Sequence, residues 1–258
     1  MIPFTRILAL ILASAFCTSC MTASTPEPSP IAPRLFMAGD STMASKDKRE
    51  RPETGWGEKL PDYFRPELKI FNHAMNGRSS KSFRDEGRWQ EILDQLRPGD
   101  YVFVQFGHND QKINDPARFT NPYTGYRDNL KRFVEDTRAR GATPVLLSSI
   151  VRRNFNDAGS LIDTHAPYPA VMRDLAREMK VYFIDLNTLS ERLVLKHGVE
   201  GSLALYMHLP PRVNPNYPDG VADNTHLKPL GASEVARLVA DTLCTSQHAL
   251  SAYLNDCR

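Results

Sequence analysis

The pattern of the whole chain is set by Leu35-Phe36-Met37-Ala38-Gly39-Asp40-Ser41-Thr42, in which four apolar residues run into a glycine and three polar residues. Short continuous apolar runs of this kind are typical of strands that are covered on both faces, as in a parallel sheet. Four similar runs follow along the chain: Leu68–Asn72, Tyr101–Phe106, Pro144–Ile150 and Val181–Asp185. The sequence therefore predicts five parallel strands.

The stretches between the later runs have the spacing of helices. Apolar residues recur every three or four positions in Tyr126–Arg140, in Pro167–Lys180 and in Leu230–Leu243. Strands that alternate with helices form right-handed βαβ units. We predict an α/β fold, a three-layer α/β/α sandwich with a central five-stranded parallel sheet of the flavodoxin-like type. Gly198–Pro229 lacks periodicity, so we expect a long irregular segment there with a functional role.

The composition is that of an ordinary globular protein. The chain has 258 residues, 41% hydrophobic and 24% charged, which is enough for one α/β domain with a substantial core. The net charge of +2, from 32 basic and 30 acidic residues, is small and scattered, which argues against a nucleic-acid partner. We expect a monomer.

The beginning of the chain has the features of an export signal. Arg6 precedes the apolar stretch Ile7–Phe16, which is too short to span a bilayer stably, so we interpret residues 1–20 as a signal peptide. Two processing sites compete. Either Ala13-Ser14-Ala15 serves a general signal peptidase, or Cys17-Thr18-Ser19-Cys20, which resembles a bacterial lipobox, is cut so that Cys20 becomes the lipidated first residue.

A tether and one folded domain follow the signal. Residues 21–33 are rich in proline and predict an extended, unpacked tether, and residues 34–258 form the domain. We expect a protein exported from a bacterium, in the periplasm or at the cell surface, whose membrane contact, if any, is a lipid on Cys20. In an oxidising compartment Cys244 and Cys257 can form a disulfide; two buried thiols are the alternative.

Polar residues follow the predicted strands where each strand ends. Ligand sites of open α/β sheets lie beyond the carboxyl ends of the strands, so these clusters are expected to meet at one edge. Together with a late cluster in the irregular segment they are Gly39–Thr42, Asn72–Ser80, Gly107–Asp110 and Asp223–His226. Each residue taken alone could have a purely structural role, as a helix cap, a turn former or a core histidine. Four such clusters, each at a place where a ligand site is expected, favour a shared functional site.

These clusters resemble the four blocks of the SGNH (GDSL-type) hydrolase superfamily, in its rhamnogalacturonan acetylesterase-like branch. The resemblance covers almost all of the chain after the tether, so residues 34–258 are expected to be a hydrolase domain. It rests on Gly39–Ala44, Gly55-Trp56-Gly57, Asn76–Phe83, Gln105–Asp110 and Asp223-Asn224-Thr225-His226. It implies a serine esterase that removes acetyl groups from a polysaccharide, with rhamnogalacturonan as the implied substrate.

The chemistry of acyl transfer assigns a role to each residue of the site. Ser41 is the expected nucleophile, His226 the base that activates it, and Asp223 the carboxylate that orients the imidazole. The resemblance implies an oxyanion hole made of the backbone N–H groups of Ser41 and Gly77 and the side-chain amide of Asn109. Gly77 lacks a Cβ, which lets its backbone approach a substrate closely.

Further residues are expected to contact the substrate. We assign such contacts to Asp40, Arg78, His108 and His165. Basic side chains suited to uronate carboxylates, with exposed surface charge as the alternative, are Arg78, Lys81, Arg152 and Arg153.

No cofactor is expected, because serine chemistry needs none, and the histidines form no ligand-spaced cluster that would predict a metal site. Other possible activities are hydrolysis of acetylxylan, peptidoglycan or small esters in general. A different class is a catalytically silent carbohydrate-binding lipoprotein, although such a module does not need a nucleophile beside a base.

Overall fold

The computed structural model describes Met1 and residues 32–257, and a five-stranded parallel sheet lies at the centre of the described part. The strands are β1 (Arg34–Gly39), β2 (Lys69–Asn72), β3 (Tyr101–Gln105), β4 (Thr143–Leu147) and β5 (Tyr182–Ile184). Their spatial order is β2-β1-β3-β4-β5, and every neighbouring pair is parallel. The predicted α/β fold with a flavodoxin-like sheet is confirmed.

Helices cover both faces of this sheet. They are α1 (Trp56–Lys59), α2 (Ser80–Asp85), α3 (Arg88–Leu93), α4 (Arg127–Ala139), α5 (Tyr168–Met179), α6 (Leu186–Gly201, with a break at Gly198) and α7 (Pro229–Thr245). Helices α4, α5 and α7 confirm the three that the sequence predicts, with ends that differ by one or two residues. Helix α6 was not expected from the sequence.

Alternate side chains of the strands enter two separate cores. In β1, Leu35 and Met37 pack into the core that contains α1, α6 and α7. Phe36 and Ala38 pack into the other core, with α2, α3, α4 and α5. All four side chains are fully buried, and burying a large apolar side chain contributes about 1.5–3 kcal/mol. The two cores therefore fix both helical layers, and with them the edge of the sheet where the strands end.

The segment Gly198–Pro229 is more regular than the sequence predicts. It contains an antiparallel hairpin of β6 (Tyr206–Leu209) and β7 (Val221–Leu227), so the expectation of a wholly irregular segment is wrong. Two backbone hydrogen bonds attach β7 to the domain: Arg153 N–H donates to the Asn224 carbonyl (2.8 Å), and Thr54 N–H donates to the Leu227 carbonyl (2.9 Å). The hairpin therefore holds Asp223 and His226 at a defined place.

The predicted signal peptide (1–20), with the Cys17–Cys20 lipobox, and the tether (21–33) lie outside the described residues, apart from Met1, Ala32 and Pro33. Within the part of the chain that the structure describes, no helix is both long and apolar enough to cross a membrane.

The C-terminal tail is pinned to the domain by a disulfide and by backbone hydrogen bonds. Cys244 at the end of α7 is bonded to Cys257, thirteen residues further on. Arg65 N–H donates to the Tyr253 carbonyl (2.8 Å), which attaches the same tail to the segment before β2. Of the two alternatives for these cysteines, the structure therefore contains the disulfide.

Replacing Cys257 by serine is expected to lower the free energy of unfolding by about 3 kcal/mol, because a crosslink that closes a loop of this length reduces the entropy of the unfolded chain. Urea unfolding of the variant and of the wild type, each with and without reductant, measures this. The variant should unfold at the same urea concentration in both conditions and match the reduced wild type. A wild type that is insensitive to reductant would contradict the prediction.

Candidate active site

The turn that carries Ser41 follows β1 directly and is built by the side chain of Asp40. Asp40 Oδ1 accepts hydrogen bonds from the backbone N–H (2.9 Å) and the hydroxyl (2.8 Å) of Thr42. The Asp40 carbonyl accepts the N–H groups of Met43 (3.2 Å) and Ala44 (3.0 Å). This buried carboxylate therefore closes the turn on itself and fixes the direction in which Ser41 projects.

A second layer of buried polar contacts holds this turn against β3. The Gln105 amide donates to Thr42 Oγ1 (3.1 Å), and the Trp56 indole donates to Gln105 Oε1 (2.7 Å). A Cβ added to Gly55 would lie 2.1 Å from the Ala44 carbonyl oxygen, closer than any side chain can approach. The Gly-Trp-Gly motif therefore serves to pack α1 against the turn of Ser41, a role that its sequence alone does not reveal.

Ser41, His226 and Asp223 form one continuous chain of hydrogen bonds. His226 Nε2 lies 2.9 Å from Ser41 Oγ, and His226 Nδ1 lies 2.7 Å from Asp223 Oδ2. The other carboxylate oxygen, Oδ1, accepts the backbone N–H groups of Thr225 (2.6 Å) and His226 (3.2 Å). The loop thus orients the carboxylate, and the carboxylate orients the imidazole toward the serine. This is the geometry that activates a serine hydroxyl.

The electrostatics of the histidine suit a general base. Burial lowers the pKa of His226, but the hydrogen bond to Asp223 and the charges of Glu53 and Asp223 outweigh burial, so the pKa lies above its ordinary value. Burial also raises the pKa of Asp223, while the hydrogen bond and charge of His226 lower it to about 2. Asp223 is therefore ionised throughout the neutral range and stabilises the imidazolium.

Gly77 and Asn109 lie close together at the ends of β2 and β3. Gly77 has φ +76°, a left-handed conformation that favours glycine. Asn109 is 3% exposed, and its amide nitrogen donates to the carbonyl oxygen of Arg78, the next residue after Gly77 (3.0 Å). A side-chain amide has two N–H donors, so one remains for a further acceptor. This hydrogen bond therefore joins the loop of Asn109 to the turn of Gly77.

Asp110 anchors the start of α2 to the loop after β3. Its carboxylate accepts from the Ser80 backbone N–H (3.1 Å), the Ser80 hydroxyl (2.5 Å) and the Thr120 hydroxyl (2.8 Å). Burial raises the pKa of Asp110 to about 6 despite these bonds. All of its contacts are structural, and they fix the loop on which Asn109 lies.

The residues Asp40, His108 and His165 lie below the surface. Their exposed fractions are 0%, 2% and 1%. Asp40 Oδ2 lies 3.3 Å from His108 Nδ1, and the rings of His108 and His165 meet edge to face with centroids 4.5 Å apart. Burial lowers the pKa of both histidines, which favours their neutral forms. Within the protein, these contacts support the loop after β3, and the contact of the three residues with substrate stays a prediction.

A sequence profile identifies the family of this chain. The profile of the GDSL-like lipase/acylhydrolase family matches residues 37–233, a range that includes Ser41 and His226. The chain belongs to this family. The predicted resemblance is therefore confirmed, and the chain is a carboxylic ester hydrolase.

Individual proteins and a solved structure are also similar to this chain. A rhamnogalacturonan acetylesterase of Bacillus subtilis is 41% identical over 208 residues, which cover 81% of this chain and 88% of that protein. A rhamnogalacturonan acetylesterase of Emericella nidulans is 30% identical over 243 residues, which cover 87% of this chain and 90% of that protein. The crystal structure of protein YxiM from Bacillus subtilis has a TM-score of 0.72 at 28% identity, over 85% of this chain and 58% of that one.

The four basic residues that the sequence suggests for carboxylate binding have different partners in this GDSL-family chain. Arg78 pairs with Glu86 (2.9 Å), and Lys81 pairs with the carboxylate of Asp85. Arg153 is 8% exposed and donates to Ser202 Oγ (3.0 Å), to Asn224 Oδ1 (3.3 Å) and to the Val199 carbonyl, so its role is structural.

Arg152 differs from the other three. It donates to the carbonyl oxygens of His108 (3.3 Å) and Thr164 (3.5 Å) and forms no ion pair with a carboxylate of the described residues. Lys112 and Arg118 lie near it: burial and then the charges of Arg118 and Arg152 lower the pKa of Lys112. Lys112 is therefore repelled by both arginines, whereas the carboxylates of Asp115 and Asp40 attract it. Arg118 is itself paired with Asp115. Within residues 32–257 no group of three or more His, Cys, Asp or Glu side chains is placed to hold a metal ion.

Proposed function

We propose that this chain removes acetyl groups from an acetylated polysaccharide, rhamnogalacturonan, through an acyl-enzyme intermediate on Ser41. The observation that carries the proposal is the chain of hydrogen bonds from Ser41 through His226 to Asp223. The choice of substrate is supported by the 41% identity to a relative named a rhamnogalacturonan acetylesterase.

The reaction proceeds in two halves. Ser41 Oγ attacks the acetyl carbonyl carbon while His226 Nε2 takes its proton, and Asp223 stabilises the imidazolium that forms. The negative charge on the carbonyl oxygen is stabilised by the N–H groups of Ser41 and Gly77 and by the amide of Asn109. The carbon–oxygen bond to the sugar then breaks, and the sugar oxygen takes the proton from Nε2. In the second half, water attacks the acetyl-serine by the same route and releases acetate.

The cations near the site support an anionic polysaccharide. Lys112 is repelled by Arg118 and Arg152, and a uronate carboxylate bound near these side chains would add to the attraction that Asp115 and Asp40 already supply. A guanidinium group binds a carboxylate with two parallel hydrogen bonds. Arg152 forms no direct ion pair with a carboxylate among residues 32–257, although the charges of Asp40 and Asp223 act on it from further away. A neutral acetylated xylan offers these groups no partner.

Release of acetate tests the proposal. The mature chain and its Ser41→Ala variant are incubated with acetylated rhamnogalacturonan, acetylated xylan, O-acetylated peptidoglycan and p-nitrophenyl acetate. Release from the first substrate by the wild type alone is the expected result. Release of acetate from xylan or peptidoglycan instead would support a serine esterase but would show that rhamnogalacturonan is not its substrate. Binding of polysaccharide without any ester cleavage would indicate a silent carbohydrate-binding protein.

Replacing Arg152 by glutamine is expected to raise KM for acetylated rhamnogalacturonan by about tenfold, the effect of losing one charge-assisted hydrogen bond. The kcat for p-nitrophenyl acetate should stay unchanged because this substrate has no carboxylate. Arg138→Gln is the matched control, since Arg138 likewise donates to carbonyl oxygens, those of Met179 and Lys180, and forms no ion pair among the described residues. An equal rise of KM for both substrates would show that Arg152 does not recognise the uronate carboxylate.

We also propose that the chain is exported and acts outside the bacterial cytoplasm, either freely or through a lipid on Cys20. The support is the signal-like sequence of residues 1–20 and the tether of residues 21–33. Mass spectrometry of the protein from its bacterial host tests this. A mature chain that begins at Cys20 with added lipid indicates anchoring, an unmodified cut near Ala15 indicates free secretion, and an intact Met1 would contradict export.

A further inference from the structure

Lys46 is a buried lysine in contact with the turn of Ser41. Its side chain is 1% exposed. Its Nζ donates to the Ser41 carbonyl oxygen (2.6 Å) and to Asn76 Oδ1 (2.6 Å), and it pairs with Glu53 Oε1 (2.8 Å). An ammonium group has three N–H donors, so each has a partner here. A buried charge is costly unless it is paired in this way.

The two neutral partners of Lys46 belong to the two turns on which the proposed chemistry depends. Ser41, after β1, carries the nucleophile, and Asn76, after β2, directly precedes Gly77. Asn76 is held from its other side as well, because its amide nitrogen donates to Glu50 Oε1 (2.5 Å). One ammonium group therefore joins the nucleophile turn to the turn of the proposed oxyanion donor Gly77.

The charged partner of Lys46 also lies beside the base. Glu53 Oε1, the oxygen that binds Lys46, is 4.0 Å from His226 Nε2. The backbones are paired at the same place, because Thr54 N–H donates to the Leu227 carbonyl (2.9 Å). Glu53 is therefore fixed against the loop of His226. Its carboxylate lies near Nε2, the ring nitrogen that faces Ser41, and not near Nδ1, the ring nitrogen that faces Asp223.

We propose that Lys46 and Glu53 are a pair of positioning residues for the esterase reaction. Lys46 fixes the nucleophile turn and the oxyanion turn relative to each other, and Glu53 gives the base a second carboxylate. The proposal rests on the proposed function, because it requires His226 to be the base. Both residues act through their neighbours, Ser41 and His226.

The charges that face His226 make the proposal testable by pH. They are Asp223 on β7, Glu53 and Lys46 before α1, and His108 in the loop after β3. Burial lowers the pKa of His226, the carboxylates of Asp223 and Glu53 raise it, and the ammonium of Lys46 lowers it. Loss of the carboxylate and loss of the ammonium must therefore shift this pKa in opposite directions.

The experiment compares Glu53→Gln and Lys46→Met in pH profiles of kcat/KM for p-nitrophenyl acetate. The base must be neutral, so activity falls as the pH drops through the pKa of His226. We expect this acid limb to move to lower pH in Glu53→Gln and to higher pH in Lys46→Met. At the optimum pH, kcat should fall about 100-fold in Lys46→Met, because small displacements of reacting groups cost about this much.

The matched controls are Lys131→Met and Glu135→Gln, which remove the partners of an exposed lysine–glutamate pair on α4 (3.7 Å). Neither should change kcat or the acid limb. Circular dichroism and thermal unfolding check that each variant is folded. If Lys46→Met does not fold, the pH profile of Glu53→Gln alone tests the proposal, because the proposal requires the acid limb of this variant to move to lower pH.

Two failures can be told apart. If the limbs of Glu53→Gln and Lys46→Met stay in place or move in the same direction, while Ser41→Ala and His226→Ala are inactive, the pair has no positioning role and the proposed function stands. If Ser41→Ala or His226→Ala retains wild-type activity, the proposed function and the role of the pair are both overturned.

Discussion

Replacing Ser41 by alanine is expected to lower kcat for acetyl esters by a factor on the order of 10⁴ to 10⁶, the loss found when a serine nucleophile is removed from such an arrangement. The variant keeps the turn intact, because Asp40 and Thr42 build it with their own hydrogen bonds. It loses only the hydroxyl that lies 2.9 Å from His226 Nε2. Polysaccharide binding should therefore remain while turnover disappears, as measured by acetate release and by calorimetric titration.

The matched control for this loss is Ser45→Ala. Ser45 is an exposed serine in the same loop, and its hydroxyl has only a long contact of 3.4 Å with the Asn72 amide. Its replacement should leave kcat unchanged. Labelling with a serine-directed phosphonate adds an independent readout, since the wild type and Ser45→Ala should be labelled and Ser41→Ala should not. Turnover by Ser41→Ala within tenfold of the wild type would show that another group is the nucleophile.

The sheet could be predicted from the sequence because its strands are buried on both faces. A run such as Val102-Phe103-Val104 contains no polar residue to conceal the pattern, and its side chains enter both cores in alternation. The site followed from the same logic, since parallel strands bring their carboxyl ends to one edge. The order of the strands was therefore enough to predict that the loops after β1 and β3 meet, as Asp40 and His108 do.

Helix α6 could not be predicted because its apolar residues do not keep to one face. Leu193 and Val194 are buried in the core, whereas Leu195 is 50% exposed and Val199 is 37% exposed. Gly198 interrupts the helix with a positive φ and further weakens the pattern. The hairpin could not be predicted for a related reason. Strand β7 is polar along most of its length, and the partial burial of its residues comes from contacts with loops that are distant in the sequence.

Neighbouring charges show most clearly what tertiary structure adds. Arg152 and Arg153 are adjacent in the sequence, but Arg153 is covered by the hairpin and Arg152 is not. Successive side chains of an extended segment point to opposite sides, and only the folded chain decides which side is covered. The position of Glu53 beside His226 could likewise not be predicted, because no sequence motif connects the two residues. They meet only because the backbones of their loops are hydrogen-bonded to each other.

Replacing Asp223 by asparagine is expected to lower kcat about 10⁴-fold by reversing the histidine tautomer. In the wild type, one carboxylate oxygen accepts the backbone N–H groups of Thr225 and His226, and the other accepts from His226 Nδ1. An asparagine has only one oxygen. The backbone N–H groups of Thr225 and His226 need that oxygen as their acceptor. The amide NH₂ group of the asparagine must therefore face Nδ1.

An imidazole that accepts at Nδ1 carries its proton on Nε2, and it then donates to Ser41 where it should accept. Activity should recover little at any pH near neutrality, because the fault lies in the position of the proton and not in the amount of charge. Asp219→Asn is the matched control, an exposed aspartate on the connection between β6 and β7. Its kcat should equal that of the wild type. If Asp223→Asn retains more than a tenth of the wild-type kcat while remaining folded, the histidine does not need this carboxylate for activity.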